Sequence, residues 1–177
     1  MATFFQRFVG ALVLDASIYE DIEADRRANL QSMLVVLAVT AAGGIAGMGM
    51  ELVRFRGFAT GAVVALGGWL VWVSIITTLG TTTFAEPQTR ANARELLRTL
   101  GYASAPGVFL AFAAMRSAAP LVFLIVSVWM IAAAVIAVRQ ALDYRSTNRA
   151  LAVCVVAWLV SAAFIVLIGL FTSQRVS

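Results

Sequence analysis

Five stretches of the chain are nearly uninterrupted apolar runs, and the polar residues gather between them. The runs cover residues 30–50, 57–79, 100–115, 120–138 and 150–171. A helix needs about 20 mostly apolar residues to cross the hydrocarbon core of a bilayer. No Asp, Glu or Arg lies in the central part of any run, where each would cost roughly 2.5–3.5 kcal/mol. The pattern predicts an all-α fold, a polytopic membrane helical bundle of about five transmembrane helices. The third run extends backward through Leu96 and is interrupted by Gly101, Pro106 and Gly107. Proline removes a backbone donor and clashes with the preceding turn, so a kink is expected there, tolerable if neighbouring groups satisfy the freed carbonyl. The connections over residues 51–56 and 115–120 are short, and the second predicts a tight antiparallel hairpin. The connections over residues 81–98 and 139–149 are longer and polar.

The amino-terminal stretch has a different rhythm. Phe4, Phe5, Phe8, Val9, Leu12 and Val13 recur at helical spacing, with Gln6, Arg7 and Gly10 between them. This predicts an amphipathic interfacial helix lying on the membrane. The apolar stretch is too short for a signal peptide, and no small-residue cleavage site follows it. Asp15, Glu20, Asp21, Glu23 and Asp25 then read as an acidic, exposed linker. The chain thus divides into an interfacial helix with linker over residues 1–28 and a five-span membrane region over residues 29–177.

Charge sets the expected orientation. Arg26, Arg27, Arg90, Arg94, Arg98, Arg139, Arg145 and Arg149 fall on one side of the five-span arrangement, and Arg54, Arg56, Arg116 and Arg175 on the other. The arginine-rich side is expected to be cytoplasmic. That places the amino terminus inside and the carboxyl terminus outside. Composition agrees with a lipid solvent: 62% of residues are apolar, against roughly 45–50% in soluble domains. All 13 basic residues are Arg, there is no His, and the formal charge is +4. The arginines are scattered between apolar runs rather than gathered on one soluble face, which argues against nucleic acid as a partner. Abundant Ala, Val and Arg without Lys suggest a GC-rich bacterial genome and a plasma (inner) membrane location.

Candidate chemistry is sparse. Without His the commonest general base and metal ligand is missing, and the single Cys154 sits in an apolar run as a small hydrophobe. No catalytic, cofactor-binding or metal-binding residue is expected, and no cofactor. Transporters usually hold an ionisable group at membrane depth. Here the polar residues at depth are hydroxyls, namely Thr40, Ser74, Thr77, Thr78, Ser104, Ser127 and Ser161, either lining a pathway or bonding within helices. Gly43 and Gly47 form a small-xxx-small pair that fits a partner face or packing within the bundle, and Gly57 and Gly61 repeat the spacing. Trp69, Trp72, Trp129 and Trp158 read as packing or interfacial anchors. The segment over residues 86–98 is expected to be helical, with Pro87 in its first turn and a Glu86–Arg90 pair at i, i+4. Arg90, Arg94 and Arg98 then share one face, which joins Arg145 and Arg149 as a basic surface for anionic lipid headgroups or an acidic partner, or as a solvated stripe.

Residues 97–106 read LRTLGYASAP. Gly101, Tyr102 and Pro106 resemble the Gly-Tyr-x-x-x-Pro motif of the Yip family, the Ypt/Rab-GTPase-interacting membrane proteins. The segments VWMIAAAVIAVRQALDYRSTNRA and LDASIYEDIEADRRANLQSMLVV are similar to bacterial Yip-domain proteins, so the resemblance covers nearly the whole chain. It implies five spans and a cytoplasmic amino terminus. Eukaryotic members assist vesicle traffic and bind small GTPases. This chain lacks their long amino-terminal domain and their Asp-Leu-Tyr-Gly-Pro motif, so GTPase binding is not carried over. In the motif, Gly101 would permit close approach, Pro106 would bend the helix, and Tyr102 would place its hydroxyl near the interface.

The expected function is that of a non-enzymatic scaffold, adaptor or membrane organiser. Its expected partners are the lipid bilayer and other membrane proteins, or further copies of itself. A small transporter or channel, or an accessory subunit of a respiratory or photosynthetic complex, is the alternative.

Overall fold

A computed structural model describes residues 2–50, 54–87, 89 and 93–173. Among these the chain is helical, without strands. Its elements are α1 (Phe4–Leu12), α2 (Ala16–Ala24), α3 (Ala28–Met50), α4 (Arg54–Thr81), α5 (Ala93–Ala103), a 3₁₀ helix (Ala105–Ala114), α6 (Ala119–Ala141) and α7 (Thr147–Ser173).

Three helices are long and apolar enough to cross a membrane: Ala28–Gly49, Phe55–Thr81 and Ala119–Ala141. At 1.5 Å per residue they reach about 33, 40 and 34 Å, against a hydrocarbon core of about 30 Å. A fourth crossing exists if the pair Arg94–Ala103 and Ala105–Ala114, bent by 42°, is one span. The expected five is therefore met by three to four. Helix α7 runs on to Ser173, and within it the stretch Thr147–Ala163 is apolar among the described residues. Large apolar side chains such as Leu37, Val63, Leu124 and Val128 are exposed around the outside of these helices. In water such a surface would drive association; against lipid tails it carries no such penalty.

The bend has the chemistry that proline imposes. Pro106 offers no N–H to the helix, and the hydrogen-bond pattern changes at that point. Gly107 N donates to Ser104 O at 2.7 Å, three residues back, while the Ser104 hydroxyl caps the Gly101 carbonyl at 2.6 Å. Ten residues of 3₁₀ helix follow, a long run for this geometry. Tight packing accompanies it: a Cβ on Gly107 would lie 2.6 Å from a Val39 methyl and 3.4 Å from the Met130 sulfur.

Helices α3 and α4 meet along a seam of small residues. Gly43 faces Gly61 and Ala65, while Gly47 faces Gly57 and Gly61. Without side chains between them the backbones come within van der Waals reach, the condition for packing helices when no hydrophobic drive separates protein from lipid. The Gly43–Gly47 face is thus occupied by α4 of the same chain. Along the spans the hydroxyls of Thr40, Ser74, Thr77, Thr78 and Ser161 each donate to the carbonyl four residues earlier. Their protons are bonded within their own helices rather than offered to a pathway.

The residues expected to form an exposed linker are instead helix α2. Asp15 caps it, its Oδ1 accepting from Ser17 N at 3.0 Å, and Leu14 at φ 63° makes the turn out of α1. Tyr19 and Ile22 are fully buried. The acidic residues disguised an i, i+3 apolar pair that packs α2 onto α5 and α6. Of the helix expected over residues 86–98, the described part is α5 from Ala93 onward. Pro87 stands in a turn, and Arg90 lies outside the described residues.

The seam makes a stability prediction. A Cβ on Gly57 would sit 2.5 Å from Gly47 O and 2.9 Å from Gly47 C, both backbone atoms that cannot move aside. Gly57→Ala should destabilise the detergent-solubilised protein by about 1–3 kcal/mol in thermal unfolding. Gly67 has nothing within 4 Å of its would-be Cβ, so Gly67→Ala should stabilise the helix by about 0.5–1 kcal/mol. Equal responses at the two positions would contradict the seam.

Candidate functional site

Helix α1 turns its polar side inward. A capping box starts it, with Thr3 and Gln6 bonding each other's backbone N–H. One turn later Arg7 is carried into the protein, where it is 1% exposed. Its Nε donates to Asp21 Oδ2 at 2.8 Å and its Nη2 to Asp25 Oδ2 at 2.7 Å. Its Nη1 donates to Gln31 Oε1 at 2.8 Å. That same oxygen accepts from the Tyr102 hydroxyl at 2.9 Å. A single guanidinium therefore joins α1, Asp21 of α2, the C-cap Asp25, the first turn of α3 and, through Gln31, the motif tyrosine on α5.

The opposite side of α1 is apolar and exposed: Phe5 is 71% and Val13 68% accessible. The helix is amphipathic as expected, with its charge directed at protein rather than at water. Its far end is pinned by Trp129, whose Nε1 donates to Leu12 O at 2.9 Å. Trp129 itself stacks on Phe109, with ring centroids 5.5 Å apart.

A second arginine also holds the carboxyl-terminal end of α2. Arg98, 3% exposed, donates from Nη1 to Asn29 Oδ1 at 3.1 Å and from Nη2 to the Glu23 carbonyl. Its Nε has no acceptor. Arg98 has therefore left the expected basic face for the interior, because α2, unforeseen as a helix, covers it. Arg94 remains on the surface. Arg145 is exposed on the connection between α6 and α7, and Arg149 in the first turn of α7. Glu86 accepts from the backbone N–H groups of Arg145 and Ser146 at 3.1 and 3.4 Å and lies 3.8 Å from Arg149 Nε. The same connection is tied to the end of α4 by Tyr144, whose hydroxyl donates to Gly80 O at 2.6 Å.

Of the motif, Gly101 and Pro106 have structural tasks. A Cβ on Gly101 would lie 2.8 Å from Ser32 Cβ, so this glycine allows α5 to approach α3. Pro106 sits at the bend, and Tyr102 belongs to the arginine network. Sequence reasoning read Arg7 only as a polar position of the interfacial helix, read Asp21 and Asp25 as an exposed linker, and gave Gln31 no role. The signal was one lone cation in an otherwise apolar helix, followed by two carboxylates at i, i+4.

Electrostatics follow the geometry. Burial disfavours the Arg7 charge, but hydrogen bonds to Asp25 and Asp21 outweigh it and raise the pKa above the usual arginine value. The Arg27 backbone N–H, then Arg7, hold Asp25 below the usual carboxylate range. Glu23 goes the other way: burial, then Asp143 and Glu95, push it up to about 6. Among the described residues no group of His, Cys, Asp or Glu is placed to hold a metal. A cavity of about 400 Å³ lies among α3, α4, α6 and α7, walled by Trp69, Trp72, Met130 and Trp158. The arrangement can hold elements together and admit apolar molecules.

Two outcomes follow. Arg7→Gln strands two carboxylates without their cation. It should expose the α1–α2 hairpin to limited proteolysis at least about tenfold faster, as ~1.4 kcal/mol of lost closure would do. For Glu23 the folded pKa of about 6 exceeds the ordinary 4.5. Between those values the folded state binds more protons than the unfolded one, so stability falls as pH rises from 4.5 to 6. Asp25, with its pKa depressed, acts only below the ordinary 3.8. Thermal unfolding across that window should show the decline, and Glu23→Gln should flatten it.

No curated protein and no solved structure matches the chain. The family model described as the Yip1 domain matches residues 10–169. That span takes in α2, the whole motif of Gly101, Tyr102 and Pro106, and the partners that Arg7 reaches on α2 and α3. With most of its 177 residues covered, the chain belongs to the Yip1 domain family of membrane proteins.

Proposed function

We propose that this protein is a non-enzymatic scaffold or adaptor of the plasma membrane of a bacterium, with five spans, a cytoplasmic amino terminus and an external carboxyl terminus. The 27 helical residues of α7, about 40 Å long, support the fifth span. The unequal sharing of arginines between the two sides supports the orientation. The observation that carries the functional reading is the arginine-held hairpin. Arg7 and Arg98 fasten α1 and α2 over one end of the bundle. The basic side chains left outside, Arg94, Arg145 and Arg149, form a rigidly mounted cytoplasmic corner. Such a corner recognises an acidic surface on a neighbouring membrane protein. The exposed apolar helix faces serve lateral packing in the bilayer.

A pull-down from the native membrane in mild detergent, read by mass spectrometry, tests this. A stoichiometric membrane-protein partner is expected. Its recovery should fall at least about tenfold in the double variant Arg145→Glu, Arg149→Glu, because like charges across a contact cost several kcal/mol. Unchanged recovery would refute the basic corner, and a cytoplasmic reporter after Ser177 would refute the orientation.

A further inference from the structure

A second cavity, of about 510 Å³, opens between α3, α4 and α5. Its walls change character along their length. At one end stand Asn29, Ser32, Arg94 and Arg98; deeper in are Val36, Leu37, Leu66, Trp69 and Leu70. Along α3 the cleft runs from Asn29 to Leu37, eight residues or about 12 Å. It begins in the first turn of that span and descends toward the membrane centre. Met33, Leu37, Leu70 and Leu97, which rim it, are exposed, so the cleft is open sideways to lipid. Its volume lies within the ~300–1,000 Å³ range of small-molecule sites.

Among the described residues the polar side chains of the cleft are Asn29, Ser32, Trp69, Arg94 and Arg98, two of them cations and none a carboxylate. Guanidinium groups suit phosphate oxygens in particular. The order from the interface inward is then cations at Arg94 and Arg98 and hydrocarbon beyond. A glycerophospholipid matches that order with its phosphate and then its acyl chains.

We propose that the cleft between α3, α4 and α5 binds one glycerophospholipid laterally from the adjoining leaflet, its phosphate at Arg94 and Arg98 and an acyl chain along Leu37, Leu66 and Leu70. The bound lipid lies against Arg98, which also holds the Glu23 carbonyl of α2, and so couples the end of α2 to the bilayer. The site requires only that the chain sits in a membrane, so its failure would leave the adaptor reading standing, and the reverse.

The test uses the full-length protein in mild non-ionic detergent and native mass spectrometry. Dioleoyl phosphatidylglycerol is the probe. Dioleoylglycerol, with the same chains and no phosphate, is the comparison. One phosphatidylglycerol per chain is expected, retained at least about fivefold better than dioleoylglycerol. Arg94→Gln should weaken retention about fivefold by removing a charge near the phosphate. Leu66→Trp should weaken it by filling the acyl path while leaving every polar group in place. Arg98 is left intact because it also holds α2. Arg145→Gln, on the exposed connection between α6 and α7, should leave retention unchanged. Equal retention of the two lipids would overturn the proposal. So would equal losses in Arg94→Gln and Arg145→Gln, which would mean unspecific surface charge, or full retention in Leu66→Trp.

Discussion

A cation buried in protein beside a membrane must be neutralised where it stands, and Arg7 shows how much structure that requirement organises. Its guanidinium is 1% exposed and every edge of it meets an acceptor: Asp21, Asp25 and Gln31. Removing one partner from such a cluster leaves a charge that the interior does not tolerate. The two carboxylates, Asp21 within α2 and Asp25 as its C-cap, must therefore both reach Arg7 from the carboxyl-terminal end of α2, which fixes that helix. Gln31 must lie in the first turn of α3, which fixes the hairpin against the bundle. Since Gln31 Oε1 also accepts from Tyr102, the motif tyrosine is set by the same cluster. A fully satisfied polar network of this kind specifies one arrangement of the elements it joins.

The membrane part of the chain obeys a different rule. Lipid tails are as apolar as the helix surfaces, so association depends on close packing and hydrogen bonding rather than on escape from water. Gly43, Gly47, Gly57 and Gly61 supply close packing between α3 and α4. The bend near Pro106 works against close packing elsewhere. It turns the 3₁₀ helix by 42° from α5, and gaps remain beside the bent element: the cavity walled by three tryptophans and the cleft lined by Arg94 and Arg98. The motif that bends the chain and the spaces that can admit small apolar molecules are thus parts of one design.

Much of the membrane region was legible in the sequence because bilayer insertion depends on composition over about 20 residues. Three apolar runs are full-length helices within a few residues of the expected bounds, and the bend stands where Pro106 placed it. The end of the bundle was not legible, for a physical reason. Five acidic residues between positions 15 and 25 read as a solvated linker, because composition cannot tell a free carboxylate from one whose partner lies fourteen residues earlier. Once Arg7 is known to be that partner, Tyr19 and Ile22 become the buried face of a helix. The same blindness placed Arg98 on the surface, since the helix that covers it had been read as a linker. Arg94, with nothing covering it, remained where the spacing put it.

The inward-facing charge and outward-facing aromatic side of α1 are the centre of this account. They can be examined with nitroxide labels at Phe5 and at Gln31 in the protein reconstituted into lipid bilayers. Collision rates with oxygen, which partitions into lipid, and with a polar nickel chelate report what surrounds each label. The account predicts a Phe5 label relaxed by oxygen and shielded from the chelate, and a Gln31 label shielded from both. A Phe5 label freely relaxed by the chelate would place α1 in water and contradict it.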